Sequence, residues 1–249
     1  MVQKFDYPFP PAGEDRRIHL YLPDEYEGRQ ERYPVLYMFD GHNLFFDSDA
    51  TFGRSWGLKD FLDRWEKKLI VVGMECAKVD RQRLTEYSPY HIHTRNHGDI
   101  DGQGEATMDW IVRDLKPYID STYRTWPHRE ATAVAGSSMG GLMALFAVLR
   151  YNRWFSKAAA VSPAVIFALD SVRREVQQPL NADTRLFFSW GEEEFSPEYL
   201  GQADGTIREL EAAVQRNGAK TYRYCQSGGQ HNEASWERQI PLWMEFLWY

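Results

Sequence analysis

The stretch "AVAGSSMGG", Ala133–Gly141, places two adjacent serines between glycines at the junction of two apolar runs. The run before it, 131–135, predicts a buried strand, and the run after it, 142–149, predicts a buried helix. The pattern Gly-x-Ser-x-Gly, with Ser138 in frame, is typical of a turn that lifts a nucleophilic serine above the carboxyl edge of a sheet. Glycines let the strand and the helix approach each other in such a turn. Ser138 is therefore a candidate nucleophile, and a glycine-rich turn without chemistry is the alternative.

Apolar runs that predict strands recur along the chain. They are "RIHLYLP" (17–23), "YPVLYMFD" (33–40), "KLIVVGMEC" (68–76), "ATAVAG" (131–136), "KAAAVSP" (157–163), "TRLFFSWG" (184–191) and "KTYRYCQSGG" (220–229). From the third run onward, most are separated by segments with helical spacing, which predicts an α/β fold with a mainly parallel central sheet and helices on both faces. In the first run, Ile18, Leu20 and Leu22 alternate with other residues, which predicts a half-exposed antiparallel strand near the sheet edge, paired by a hairpin.

Length and composition predict one soluble domain spanning residues 1–249, because no segment resembles a linker. The net charge is −7 and no Lys/Arg cluster is longer than a pair, so we expect neither a nucleic acid nor a membrane as partner. The N-terminus lacks the apolar core of a signal peptide, which favours a cytoplasmic protein. Cys76 and Cys225 fall in no metal-binding spacing and are expected to be buried free thiols. Nothing in the composition predicts an oligomeric state.

A polar segment, 88–105, is the least patterned part of the chain and predicts a long loop. It contains several potential metal ligands: His91, His93, His97, Asp99 and Asp101. Their spacing is not that of a familiar zinc or calcium site. A polar active-site rim is therefore favoured over a metal-dependent enzyme or metal-binding module, and no metal is predicted.

A serine nucleophile needs a base to take its proton and an acid to hold the base, in the chain order Ser, acid, His for this kind of turn. The sequence after Ser138 contains one histidine, His231, which follows the run 220–229. The acid should follow another strand, and Glu192–Glu194 directly follow the run 184–191. The residues alone do not separate these three glutamates. The turn also frees the backbone N–H of Met139 to stabilise an oxyanion.

Several segments together resemble the esterase family of α/β-hydrolases that includes esterase D, the enterochelin esterases, feruloyl esterase domains and the mycolyltransferase antigens. The matching segments are "YPVLYMFDGHNLF", "RLTEYSP", "DLKPYIDSTYRT", "AGSSMGGLMALFAVLRY", "WGEEE" and "GGQHNEASWERQIP". The resemblance implies the α/β-hydrolase fold and no cofactor. It also implies that Glu194 is the acid and that the backbone N–H of His42 is the second oxyanion donor.

These features predict a serine esterase that cleaves a small-molecule carboxylic ester through an acyl-enzyme. Trp56, Tyr87 and Trp236 fall in candidate rim loops and suit stacking on a sugar or an aromatic acyl group, so we expect an acetyl or feruloyl type ester of a carbohydrate. An anionic siderophore, a catecholate trilactone, is the alternative substrate, because arginines fall in segments that could reach a cleft: Arg54, Arg81, Arg83 and Arg95. Acyl transfer and a non-catalytic binding protein with this fold are further alternatives.

Overall fold

An eight-stranded, mainly parallel sheet forms the centre of the computed structural model, as the sequence predicts. The structure describes residues 1–249, apart from the side chains of Asp80 and Glu198. In spatial order the strands are β1 (Val2–Phe9), β2 (Glu14–Tyr21), β4 (Ile70–Met74), β3 (Val35–Phe39), β7 (Thr132–Ser137), β8 (Lys157–Val161), β9 (Arg185–Gly191) and β10 (Lys220–Gln226). Strands β5 (Ile92–Thr94) and β6 (Gly98–Ile100) form a separate hairpin.

The antiparallel part of the sheet lies at one edge. Strand β2 pairs with β4 and, by a hairpin, with β1, and both pairings are antiparallel. The predicted hairpin pairing is therefore confirmed, although its partner β1 was not predicted. The expected half-exposure of the 17–23 run is wrong, because Ile18, His19, Leu20 and Tyr21 are all buried. Strand β1, rather than β2, occupies the edge and covers it.

Helices cover both faces of the sheet. One face carries α1 (Leu58–Arg64) and α9 (Ile240–Trp248); the other carries α3 (Gly104–Trp110), α4 (Lys116–Thr122), α5 (Met139–Arg150), α6 (Leu169–Glu175) and α7 (Pro197–Arg216). Two short helices, α2 (Asp80–Glu86) and α8 (Glu233–Glu237), follow strands β4 and β10. Because successive side chains of a strand point to opposite faces, Tyr37 of β3 packs in one core and its neighbours Leu36 and Met38 pack in the other. No helix among the residues described is long and apolar enough to cross a membrane.

The two cysteines differ in environment. Cys76 is a buried free thiol, as expected, and burial raises its pKa above the usual range. Cys225 is exposed, so the prediction of burial is wrong for this residue. The reason is its position on β10, the other edge strand of the sheet, where one side of the strand has no neighbour.

Candidate active site

Ser138 forms the turn between β7 and α5, with φ 55° and ψ −119°. Residues other than glycine rarely adopt a positive φ, so the surrounding structure must hold this turn in place. A Cβ on Gly136 would lie 2.6 Å from backbone atoms of Gly140, and a Cβ on Gly141 would lie 2.7 Å from the carbonyl oxygen of Val161. Glycines are therefore required here because β7, β8 and the first turn of α5 approach so closely.

His231 and Glu194 form a hydrogen-bonded pair beyond the ends of the adjacent strands β10 and β9. His231 Nδ1 lies 2.9 Å from Glu194 Oε2. The Glu194 side chain is only 4% exposed. Its other oxygen, Oε1, accepts hydrogen bonds from the Ser162 hydroxyl at 2.6 Å and from the Gly191 backbone N–H at 2.7 Å. These bonds hold the carboxylate in place, and the carboxylate in turn orients the imidazole.

The neighbouring glutamates contact other groups. The Glu192 carboxylate accepts hydrogen bonds from the Ser227 hydroxyl at 2.8 Å and from the Gly228 backbone N–H at 3.2 Å. Glu193 accepts one from the side-chain amide of Gln230 at 2.8 Å. Among the three glutamates, all of which the structure describes, Glu194 is the one that contacts His231. The geometry therefore separates residues that the sequence pattern left equivalent.

A cavity of about 760 Å³ opens above the carboxyl edge of the sheet, in the size range of small-molecule sites. Ser138 and His231 both line it, and no hydrogen bond joins their side chains among the residues described. Contacts of this kind often tighten only when substrate binds. The further lining residues are Asp40, His42, Asn43, Asp49, Thr51, Phe52, Glu75, Cys76, Ala77, Lys78, Arg83, Ser137, Asn232, Glu233 and Trp236.

Two backbone N–H groups lie at the ends of the neighbouring strands β3 and β7. Met139 is the first residue of α5, and His42 lies in a short 3₁₀ turn after β3. Neither N–H donates a hydrogen bond to any residue that the structure describes. A Cβ on Gly41 would lie 2.5 Å from the backbone of Gly73 in β4, so glycine is needed for this turn to fold back on the sheet. Burial lowers the pKa of the His42 imidazole.

An ion pair between Asp40 and Arg83 holds the backbone that leads into the His42 turn. The buried Asp40 carboxylate accepts hydrogen bonds from Arg83 Nε at 2.8 Å and from Arg83 Nη2 at 2.7 Å. The Asp40 backbone has φ 57°, and its N–H donates to the Tyr87 hydroxyl at 3.1 Å. Burial acts to raise the pKa of Asp40, but the Arg83 guanidinium outweighs it and holds the pKa below its usual value. The pair thus remains charged and fixes the backbone that precedes His42.

Two of the three predicted rim aromatics are not on the rim. Trp56 and Tyr87 are each only 2% exposed, and neither lines the cavity among the residues described, so this part of the prediction is wrong. Trp56 packs against Trp236 with ring centroids 5.6 Å apart, and Tyr87 packs beneath Asp40. Trp236 does line the cavity, and its indole lies edge to face with His231 at 5.1 Å. Phe52, which was not predicted, is 81% exposed and lines the cavity as well.

The histidine-rich segment forms the β5–β6 hairpin instead of an irregular loop. His93 Nδ1 lies 2.9 Å from Asp99, and His91 Nδ1 lies 2.9 Å from Asp101. Across the described part of the chain, no group of three or more His, Cys, Asp or Glu side chains is placed to hold a metal ion. A second cavity of about 320 Å³ lies beside this hairpin, lined by Arg83, Leu84, Thr94, Arg95, Asn96, His97 and Phe167. Arg83 lines both cavities.

Two residues of the site were not predicted as such. Ser162 directly follows β8, has φ 43°, and links Glu194 to the Trp236 indole N–H, which donates to its hydroxyl at 3.0 Å. The position of Ser162 in the sequence could have indicated this role, because polar residues just past parallel strands share one edge of the sheet. Glu233, the first residue of α8, lies in the cavity wall two residues after His231.

Comparison with known proteins agrees with this fold. A family model described as "Putative esterase" matches residues 11–245. The uncharacterized protein YbbA of Bacillus subtilis (strain 168) is 27% identical over 184 residues, which cover 72% of this chain and 69% of that protein. An IroE-like serine hydrolase from Shewanella oneidensis superposes with a TM-score of 0.79 at 22% identity, covering 99% of this chain and 79% of that one. A ferulic acid esterase superposes with a TM-score of 0.73 at 20% identity, covering 99% and 97%.

Proposed function

The chain belongs to the family described as "Putative esterase" and is an ester-hydrolysing enzyme, and we propose that it cleaves carboxylic esters through an acyl-enzyme formed on Ser138. The observation that carries this proposal is the shared cavity of Ser138 and His231, with the imidazole held by the buried carboxylate of Glu194. A hydroxyl is a weak nucleophile until a positioned base removes its proton.

In the proposed reaction, the Ser138 hydroxyl attacks the acyl carbonyl while His231 Nε2 takes its proton. The Glu194 carboxylate keeps Nδ1 protonated and stabilises the imidazolium that forms. The backbone N–H groups of His42 and Met139 donate to the oxyanion, since both are free of other described partners. His231 then gives its proton to the departing alcohol. Water then attacks the carbonyl of the acyl-enzyme while His231 takes its proton. The bond to the Ser138 oxygen breaks, His231 returns the proton to that oxygen, and the acid is released.

The substrate that the cavity favours is an acetyl or feruloyl type ester of a carbohydrate. Phe52, which is 81% exposed, offers aromatic surface that can stack on a sugar or on an aromatic acyl group, whereas Trp236 is only 6% exposed and lines the cavity with little of its surface. Ionisable carboxyls outnumber Lys and Arg side chains in the cavity lining, which disfavours a polyanion: Asp40, Asp49, Glu75 and Glu233 stand against Lys78 and Arg83. A similar fold occurs in a ferulic acid esterase.

A siderophore trilactone is the second candidate substrate. Arg95 and His97 line the smaller cavity together with Arg83, and because Arg83 already pairs with Asp40, an anionic group there would bind mainly through Arg95. The other two candidate arginines are engaged elsewhere, since Arg54 pairs with Glu237 and Arg81 donates to backbone carbonyls of the β5–β6 hairpin. Comparing turnover of an acetylated sugar, methyl ferulate and a catecholate trilactone decides between the two, and a strong preference for the trilactone contradicts the carbohydrate proposal.

The nucleophile is tested with two adjacent serines. We expect Ser138→Ala to lower the turnover of 4-nitrophenyl acetate by about 10⁴-fold or more, because it removes the attacking oxygen. Ser137→Ala should cause a much smaller loss, although Ser137 also lines the cavity. Thermal unfolding of both variants checks that the fold is retained. Similar residual activity in the two variants would contradict the assignment of Ser138.

A further inference from the structure

Glu233 has a buried carboxyl that lacks a partner. The residue is 6% exposed, and its side chain makes no hydrogen bond or ion pair with another of the residues described. Its remaining polar contact is with its own backbone N–H. The Glu233 carboxyl oxygens are not among the fully buried unpaired atoms of the described residues, so the carboxyl keeps access to the cavity and is available to a ligand there.

The Glu233 carboxyl faces the cavity. The charged groups that act on its pKa are Asp40, His231 and Arg83, and all three line the same cavity. Burial raises the pKa of Glu233, and Asp40 raises it further, whereas His231 and Arg83 lower it. No described side chain on the face of the sheet that carries α9 hydrogen-bonds to the Glu233 carboxyl. A ligand in the cavity is therefore the partner that the position allows.

The position relative to the reaction indicates which part of the ligand is bound, and this step rests on the function proposed above. His231 must give its proton to the oxygen of the departing alcohol, so the alcohol part of the ester lies beside the imidazole. Glu233 follows His231 by two residues, and its carboxyl interacts with the imidazole charge. Because Glu233 and His231 line the same cavity and lie two residues apart, the alcohol part is the part of the substrate that we assign to the Glu233 side chain.

We propose that Glu233 binds a hydroxyl group of the alcohol next to the ester oxygen, so that the enzyme selects esters of polyols or sugars over esters of simple alcohols. A carboxylate is an acceptor, and a hydroxyl is the neutral donor that matches it. An anionic alcohol would be repelled by Glu233 and by Asp49 and Glu75 in the same lining.

The test compares two acetates of similar size, 2-hydroxyethyl acetate and propyl acetate, in which a terminal hydroxyl replaces a methyl group, with acid release followed by titration at constant pH. We expect the wild type to favour the hydroxyl ester in kcat/KM by about tenfold, the effect of a hydrogen bond to an ionised group. Glu233→Ala should abolish this preference. Glu233→Gln keeps an acceptor oxygen and should retain a weaker preference, of about threefold, that no longer varies with pH.

The wild-type preference should increase as the pH rises through the raised pKa of Glu233, because the carboxylate is the better acceptor. The matched control is Glu237→Gln on the same helix, whose carboxylate pairs with Arg54 at the surface; its preference should equal that of the wild type. Hydrolysis of 4-nitrophenyl acetate, dependent on Ser138, measures the proposed function separately.

Three results would overturn the assignment of Glu233. They are an unchanged preference in Glu233→Ala, an equal loss on both esters in both Glu233 variants, and no turnover of 2-hydroxyethyl acetate by a protein that hydrolyses 4-nitrophenyl acetate through Ser138. Each leaves the ester hydrolase proposal intact. A protein that hydrolyses none of these esters contradicts both proposals.

Discussion

The turn at Ser138 and the loop at His231 are held by different kinds of interaction. At Ser138, backbone segments approach so closely that a single added Cβ would meet backbone atoms at 2.6 Å. At His231, side chains make the contacts, through Glu194 and Ser162 to the indole of Trp236. Added volume should therefore damage the first region, whereas a lost acceptor or donor should damage the second.

The largest effect is expected from Glu194→Gln. The amide can present its NH₂ to His231 Nδ1, which favours the wrong tautomer of the imidazole, so kcat should fall by about 10³ to 10⁴-fold. Glu192→Gln and Glu193→Gln are matched controls, because these side chains contact Ser227, Gly228 and Gln230 instead of His231. Steady-state kinetics on 4-nitrophenyl acetate measures all three. A greater loss in either control variant would move the role of the acid to that residue.

Gly136→Ala should have the next largest effect, and it acts on stability. The new Cβ would lie 2.6 Å from the backbone of Gly140, and the strand or the helix must shift to admit it. We expect a loss of about 3 kcal/mol in the free energy of unfolding, together with lower activity. Urea denaturation measures the change.

Gly201→Ala is the matched control for Gly136→Ala. Gly201 lies inside α7 with no atom within 4 Å of the added Cβ, so the substitution should stabilise the protein by about 0.5 to 1 kcal/mol. If the two alanine variants had equal stability, the close approach at the turn would not be what requires glycine there.

The same contrast explains what the sequence could predict. The sheet and the Ser138 turn follow from local patterns, since apolar runs and glycines determine which backbone segments can approach. The fold class is confirmed for this reason. Strand β1 was missed although Phe5 and Tyr7 alternate with polar residues, because Pro8, which donates no ladder hydrogen bond and is confined to edge strands, argued against a strand there. The β5–β6 hairpin was missed because its strands have three residues each.

Side-chain contacts between distant segments were harder to predict. Residue type does not determine whether an aromatic ring lies on a rim or in a core, so Trp56 and Tyr87 were placed wrongly. The residues alone did not separate the three adjacent glutamates; the family resemblance implied Glu194, and in the structure the Glu194 carboxylate is the one that contacts His231. The roles assigned to Ser138, Glu194 and His231 stay predictions until the variants are measured.

Ser162→Ala should have the smallest effect and examines the side-chain network directly. The Ser162 hydroxyl donates to Glu194 Oε1 at 2.6 Å and accepts from the Trp236 indole at 3.0 Å. Without it, Glu194 keeps its bonds to Gly191 and His231, so we expect kcat to fall by about tenfold, the equivalent of one hydrogen bond.

Ser189→Ala separates this effect from the loss of a buried hydroxyl in general. Ser189 is fully buried in β9, its backbone carbonyl accepts the Ser162 N–H at 2.9 Å, and its hydroxyl has no partner among the residues described. Removing an unpaired buried hydroxyl should leave kcat unchanged and keep or raise stability, because no bond is lost and a desolvated polar group disappears. Kinetics and thermal unfolding of the two variants should therefore diverge. Equal losses of kcat in both variants would mean that removing any buried hydroxyl at this edge of the sheet lowers turnover. The hydrogen bond from Ser162 to Glu194 would then have no specific part in turnover.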